Sequence, residues 1–147
     1  MRHTYRAHQK KLSATTSKQI DSSERLKIIW VFDMLDRNGI FAFNINRPDF
    51  DHKEFLDKLL AYSNMTWSQV RAQTHDNGKS KHHFLNNIDK LSKEAKERLE
   101  AKKLAEYTDS IFSFALNNKL RIIGIREREF FHVIWYDPEH QFHPSQK

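Results

Sequence analysis

Residues 110–144, SIFSFALNNKLRIIGIREREFFHVIWYDPEHQFHP, constrain the fold more than any other part of the chain. Phe112, Phe114 and Leu116 alternate with small or polar neighbours, the period of a half-buried strand. Asn117-Asn118 then supplies a turn from residues that tolerate positive φ. In the next strand Leu120, Ile122 and Gly124 alternate with Arg121, Ile123 and Ile125. Both of its faces are partly apolar, which predicts a central place in its sheet. Glu127-Arg128-Glu129 turns the chain again. The third strand is expected to put Phe131, Val133 and Trp135 on one face and Phe130, His132, Ile134 and Tyr136 on the other. Asp137-Pro138 ends it, because proline donates no ladder hydrogen bond and restricts the residue before it. Two features do not belong to an apolar meander. Arg121 lies within a strand, and His140 and His143 follow where the third strand runs out.

Upstream, Leu26, Ile28, Trp30, Phe32 and Met34 alternate, with Ile29 and Val31 opposite, and read as a core strand. Asn38-Gly39 is a hairpin signal, and Phe41, Phe43 and Ile45 read as the returning strand, closed by Pro48. Two helix starts follow. Asp51 with Glu54, and Thr66 with Gln69, have capping-box spacing, with Phe50/Phe55 and Met65/Val70 as the matching hydrophobic staples. Phe55, Leu56, Leu59 and Leu60 form the expected apolar stripe of the first. Residues 74–88 are polar and interrupted by Gly78, and read as a loop that gains order around Phe84 and Leu85. A third helix is expected from about Ser92 to Glu106, with Leu91, Ala95 and Leu99 on its inner face and mixed charges elsewhere. This order predicts an α+β domain, with a largely antiparallel sheet made of an N-terminal hairpin plus a C-terminal three-strand meander. About three helices are expected to pack on one face of it. Trp30, Phe32, Phe112, Phe114, Ile122, Val133 and Trp135 are the expected core.

Among 147 residues there are 11 Phe and 3 Trp, enough to build one packed domain over residues 23–147. The absence of cysteine removes disulfides, thiolate metal sites and a cysteine nucleophile, and fits a reducing cytoplasm. No apolar run approaches the roughly 18 residues of a membrane span, so no membrane partner is expected. Charge is uneven. Residues 1–22 carry Arg2, Arg6, Lys10, Lys11 and Lys18 against Asp21, a local +4 out of a formal +6 for the chain. They read as a flexible basic arm, either simply solvated or a tether for a polyanion.

Only 3 glycines are present and there is no Gly-rich phosphate loop or nucleophile elbow, which argues against nucleotide-fold and serine-hydrolase chemistry. With 9 histidines a metal must be weighed. His140 and His143, with Glu139 nearby, are the best local pair, but no histidine pair has clear helical ligand spacing. The reading adopted therefore contains no metal and no cofactor. What remains suits RNA chemistry. Cleavage through the 2′-hydroxyl needs a base, a cation for the extra phosphate charge and an acid for the leaving oxygen. Histidine serves either proton role near neutral pH, and arginine offers a fixed fork to phosphate. Arg121, His140 and His83 are the candidate catalytic residues. Arg2, Arg6, Lys10, Lys11, Lys81, His82 and His143 are the candidate nucleic-acid contacts. The plain alternative is a salt-bridged strand arginine and surface histidines.

The run "LRII", then "FHVIW", then "DPEHQFHP" resembles the terminal meander of the RelE/ParE-like superfamily of bacterial toxins, over about 35 of the 147 residues. That resemblance implies a metal-independent endoribonuclease toxin of a toxin–antitoxin or mobile-element system. It implies that Arg121 holds the scissile phosphate and His140 moves a proton, on RNA that includes mRNA at the ribosome, with an antitoxin protein as partner. The second function carried is a non-catalytic module that docks protein or nucleic acid with its arm and sheet.

Removing residues 1–22 should leave the melting temperature unchanged while RNA affinity falls and its salt slope becomes shallower, because fewer phosphates are neutralised. Fluorescence anisotropy against salt measures this. An unchanged slope would make the arm a solvated tail only.

Overall fold

The computed structural model describes residues 22–145; the arm residues Arg2, Arg6, Lys10 and Lys11 lie outside them. Five strands are formed: β1 (Ile29–Val31), β2 (His83–Phe84), β3 (Ile111–Ala115), β4 (Arg121–Glu127) and β5 (Phe130–Asp137). They make one mixed sheet in the order β1-β5-β4-β3-β2, antiparallel except for the β1–β5 pair. Three α-helices lie wholly within the described residues: α1 (His52–Ser63), α2 (Trp67–Ala72) and α3 (Lys93–Ala101). The α+β class and the C-terminal meander are as the sequence predicts, and β4 is central, with every residue buried. Among the described residues no helix is long and apolar enough to cross a membrane.

The N-terminal hairpin does not form. Asn38-Gly39 does turn the chain, with Gly39 at φ 83°, but residues 41–43 spend their backbone groups elsewhere. Tyr136 N–H donates to Phe41 O, Ala42 bridges Trp135, and Phe43 N–H donates to Asp36 O. The segment thus covers the free side of β5 beyond the point where β1 stops. β1 is consequently an edge strand: Trp30 is only partly buried and Phe32 is 44% exposed, contrary to their expected place in the core. The second edge strand, β2, lies in the polar stretch 74–88, at Phe84, where that loop is expected to gain order.

Helices cover both faces of the sheet, not one. On the first face, Tyr62 of α1 and Trp67 and Val70 of α2 pack with Phe112, Phe114, Ile122, Phe131 and Val133. On the second, Leu91, Ala95 and Leu99 of α3 and its approach pack with Ile123, Ile125, Ile134, Trp135 and Phe142. Trp135 therefore lies on the face opposite Phe131 and Val133, which strict alternation does not allow. A β-bulge is the cause. Ile123 pairs with Trp135 but Gly124 pairs with Val133, so Ile134 is an extra residue in β5 and the parity of the strand changes there. A Cβ on Gly124 would stand 1.9 Å from the carbonyl oxygen of His132. Only glycine permits that approach.

The helix starts follow the sequence with one substitution of partner. Thr66 and Gln69 form both arms of the capping box. Asp51 accepts from Glu54 N–H as expected, but its own N–H is bonded to the Tyr136 hydroxyl at 2.9 Å in place of the Glu54 side chain. α1 is also rotated from the expected stripe, with Leu59 and Tyr62 buried while Leu56 and Leu60 are 57% and 58% exposed. α3 starts at its Ser92 cap as expected but stops at Ala101, short of Glu106, and Lys103 at φ 59° follows its end.

Gly124→Ala should cost at least about 3 kcal/mol or prevent folding, because the obstacle is backbone and not a movable side-chain tip. Urea unfolding measures this; a variant with the wild-type midpoint would show that the bulge does not depend on the missing Cβ.

Candidate functional site

The parity change decides what stands around Arg121. It places Asp137 opposite Arg121 and Tyr136 opposite Ile122. Residues paired across strands share a face, so Arg121, with Ala115 and Asp137, lies on the α3 side, at the end of the sheet past Ile123. His83 is paired with Ser113, itself paired with Ile123, and so belongs to the same side. The tail then folds over this end. The buried Asp137 carboxylate accepts from the backbone N–H groups of Gln141 and Phe142 at 3.0 and 2.8 Å, and Phe142 plugs into the second core. His140, just before them, takes φ 56°. This tight return is what carries His140 and His143 back beside Arg121 and His83.

Arg121 is 6% exposed. Its Nη1 donates to the carbonyls of Asn117 and Leu120, at 2.8 and 3.2 Å. It forms no ion pair with a carboxylate among the described residues. Asp137 and Tyr62 act on it only through space, opposing the lowering of its pKa by burial. Its Nε and Nη2 make no hydrogen bond among the described residues and are not sealed from solvent.

The histidines form a cluster around this cation. The rings of His83 and His143 are 6.2 Å apart, and His140 Nδ1 lies 3.5 Å from the Ser145 hydroxyl. His140 is held down to about 4 by burial first, then by Arg121, His143, His83 and His75. His83 and His143 are lowered as well, mainly by burial. All three rings are therefore neutral at pH 7 in the free protein. The sequence-based candidates Arg121, His83, His140 and His143 thus come together from β4, β2 and the tail.

His82 does not join them. It is 1% exposed, accepting from Ala115 N–H at Nδ1 (3.0 Å) and facing Gln73 Oε1 with Nε2 (2.8 Å). Because Ala115 can only donate, the proton sits on Nε2, and the neutral ring ties the loop before β2 to β3. Burial lowers its pKa to about 3. Lys81, its neighbour, is turned outward. It helps line a cleft of about 580 Å³ together with Lys58, His75, Asn117, Asn118 and Lys119. Lys58, His75 and Lys119 had no sequence signal, since they come from separate helices and loops.

Two further polar groups are given no role by the sequence, Arg126 because it adjoins the charged Glu127-Arg128-Glu129 turn and His132 because it reads as one member of a strand face. Arg126 is fully buried on the first face, with its guanidinium 4.0 Å from the Trp67 ring centroid and bonded to Glu24 and Ser23. It anchors the start of the domain. His132, at the far end of the sheet, lies between Asp33 (2.9 Å) and Glu127 (3.8 Å). Burial opposes its charge, but the two carboxylates outweigh that and raise its pKa. Among the described residues no three histidines or carboxylates are arranged to hold a metal ion. Comparison with known proteins finds no matching family model, no matching curated protein and no matching solved structure.

The buried neutral His82 has a consequence for stability. Its folded pKa lies below the unfolded value, so the unfolded chain binds the extra proton, and stability is complete above about pH 6.5 and falls as pH drops towards 3. Between pH 7 and pH 5 this one ring should remove roughly 2 kcal/mol. His82→Gln should flatten the dependence of unfolding free energy on pH across that interval, whatever its effect at pH 7. An identical slope in wild type and variant would refute the assignment.

Proposed function

We propose that the protein is a metal-independent endoribonuclease of RelE-like character, acting in the cytoplasm of a bacterium as the toxin of a toxin–antitoxin or mobile-element system. The observation that supports it is the pairing of a strand arginine, without a carboxylate partner among the described residues, with three neutral histidines on one side of the sheet. In this reading the Arg121 Nε and Nη2 donors hold the scissile phosphate and offset its growing charge, a role for which a planar fork is suited. One of His140 and His83 takes the proton from the 2′-hydroxyl as that oxygen attacks the adjacent phosphorus. The other, protonated in the complex where the phosphate charge stabilises its cation, gives that proton to the departing 5′-oxygen, leaving a 2′,3′-cyclic phosphate and a free 5′-hydroxyl. No water and no metal ion enter the step.

The low pKa of His140 fits this cycle when substrate is bound. Its lowering comes from burial and from neighbouring cations and histidines. A phosphate held by Arg121 counters the second cause and moves the pKa of the ring back up towards neutral pH, where proton transfer is most effective. The same low value supports the second reading, a non-catalytic binding module, in which the ring stays neutral throughout and Arg121 only grips the anion. The RNA includes mRNA at the ribosome, and the partner is an antitoxin protein.

Expression of the wild-type protein alone should arrest growth, and the purified protein should leave 2′,3′-cyclic ends on single-stranded RNA. Arg121→Lys should lose nearly as much activity as Arg121→Ala, because a point charge does not replace the fork. His140→Gln should lose activity by roughly 10²–10⁴-fold with little change in RNA affinity. Binding without any cleavage by the wild type would replace the enzyme with the binding module.

A further inference from the structure

The cleft beside Arg121 has a composition of its own. Lys58 of α1, His75 and Lys81 of the loop before β2, and Lys119 of the β3–β4 loop line it, with Asn117 and Asn118, and no carboxylate is part of the lining. Two of the lysines have acidic neighbours at its rim: Lys119 with Glu139 at 3.4 Å and Lys58 with Glu54 at 3.9 Å. The Lys119 pair is solvent-exposed, and such pairs are worth little, about 0–1 kcal/mol, so a phosphate displaces it readily; the Lys58 pair is half-buried and long at 3.9 Å. No Phe, Tyr or Trp lines the cleft, so it offers no broad platform on which a base can stack. Asn117 joins the two regions, since its carbonyl accepts from Arg121 Nη1 and its side-chain oxygen accepts from the N–H groups of Lys119 and Leu120.

We propose that this cleft is a track for the sugar–phosphate backbone of a single-stranded polynucleotide, with Lys58, Lys81 and Lys119 each neutralising one phosphate next to the one at Arg121. The proposal rests on the ribonuclease reading for its direction from Arg121, and adds the class of substrate: an extended single strand gripped by its backbone without base recognition. A cleft of about 580 Å³ is of small-ligand size and holds a short stretch of strand at a time. Because point charges meet phosphates there, affinity along the track is independent of sequence and strongly dependent on salt.

The probe is a single-stranded 2′-O-methyl oligonucleotide, which binds but has no free hydroxyl to drive cleavage. Its affinity for the full chain is measured from low to high salt, for wild type and for the Lys58→Ala/Lys81→Ala/Lys119→Ala variant. The slope of log affinity against log salt should become shallower by about 2, near 0.7 for each phosphate that is no longer neutralised, and affinity at 0.1 M salt should fall about 10²-fold relative to its change at 1 M. Homopolymers of different base should show the same loss. An unchanged slope in a variant that melts like wild type, a loss confined to one base, or no binding by wild type overturns the track. A wild type that cleaves RNA while the slope is unchanged removes the track and keeps the enzyme. A slope that falls as expected in a protein that never cleaves RNA keeps the track and removes the enzyme.

Discussion

The contact between Gly124 and the His132 carbonyl governs both ends of this molecule. With no Cβ in the way, the two backbones close together, Ile134 is squeezed out as an extra residue, and everything after it in β5 changes face. Trp135 is thereby delivered to the α3 side, where its indole N–H donates to the buried Asp36 carboxylate at 2.8 Å. Arg98 of α3 grips the same carboxylate with two donors, both at 2.8 Å. Burial would raise the Asp36 pKa, but these bonds and one from Asn38 N–H outweigh it and hold it below the usual carboxylate value. The same change of face sets Asp137 opposite Arg121 and points it at the backbone of the tail. Structural clamp and candidate site are thus two products of one bulge.

The Asp36 cluster also explains why the loop over β5 is not a hairpin. Asp36 N–H donates to Ile134 O, the carbonyl that the bulge leaves facing outward, and Arg98 packs against Gly39, where a Cβ would come within 2.9 Å of Arg98 Cδ. Gly39 is therefore required by its partner as well as by its positive φ. A hairpin would need residues 41–43 to turn back on β1, and those residues are already bonded to β5 and to Asp36 itself.

Local features of the sequence were legible because their causes are local. The alternation of residues 112–116 and 120–125, the Asn117 turn and the Thr66 cap each rest on neighbours a few positions apart. The change of face at Trp135 was not, since a bulge leaves the apolar pattern intact and Gly124 looks like any strand glycine until its partner is known. The swap of the Asp51 cap from Glu54 to Tyr136 depends on a residue 85 positions away. For the site, Arg121 and His140 stood out as polar residues in or beside apolar strands, and the fold does bring them together. His82 and His83 were indistinguishable in sequence, because alternation alone sends one ring into the core and the other to the site. Lys58, His75 and Lys119 become neighbours only through the packing of α1 and two loops at one end of the sheet.

The pairing of β1 with β5 ties the first strand of the described residues to the last. Residues 29–31 are hydrogen-bonded alongside residues 130–132, and among the described residues no other strand adjoins β1. Among the described residues β1 has no strand to pair with until β5 is made, and its exposed Ile29 and the neighbouring Phe32 face solvent even in the finished fold. Contacts of such long range close late and slowly, and an unpaired apolar strand is a hazard while it waits. The sheet is therefore completed only when β5 is available to close it, and not strand by strand in chain order.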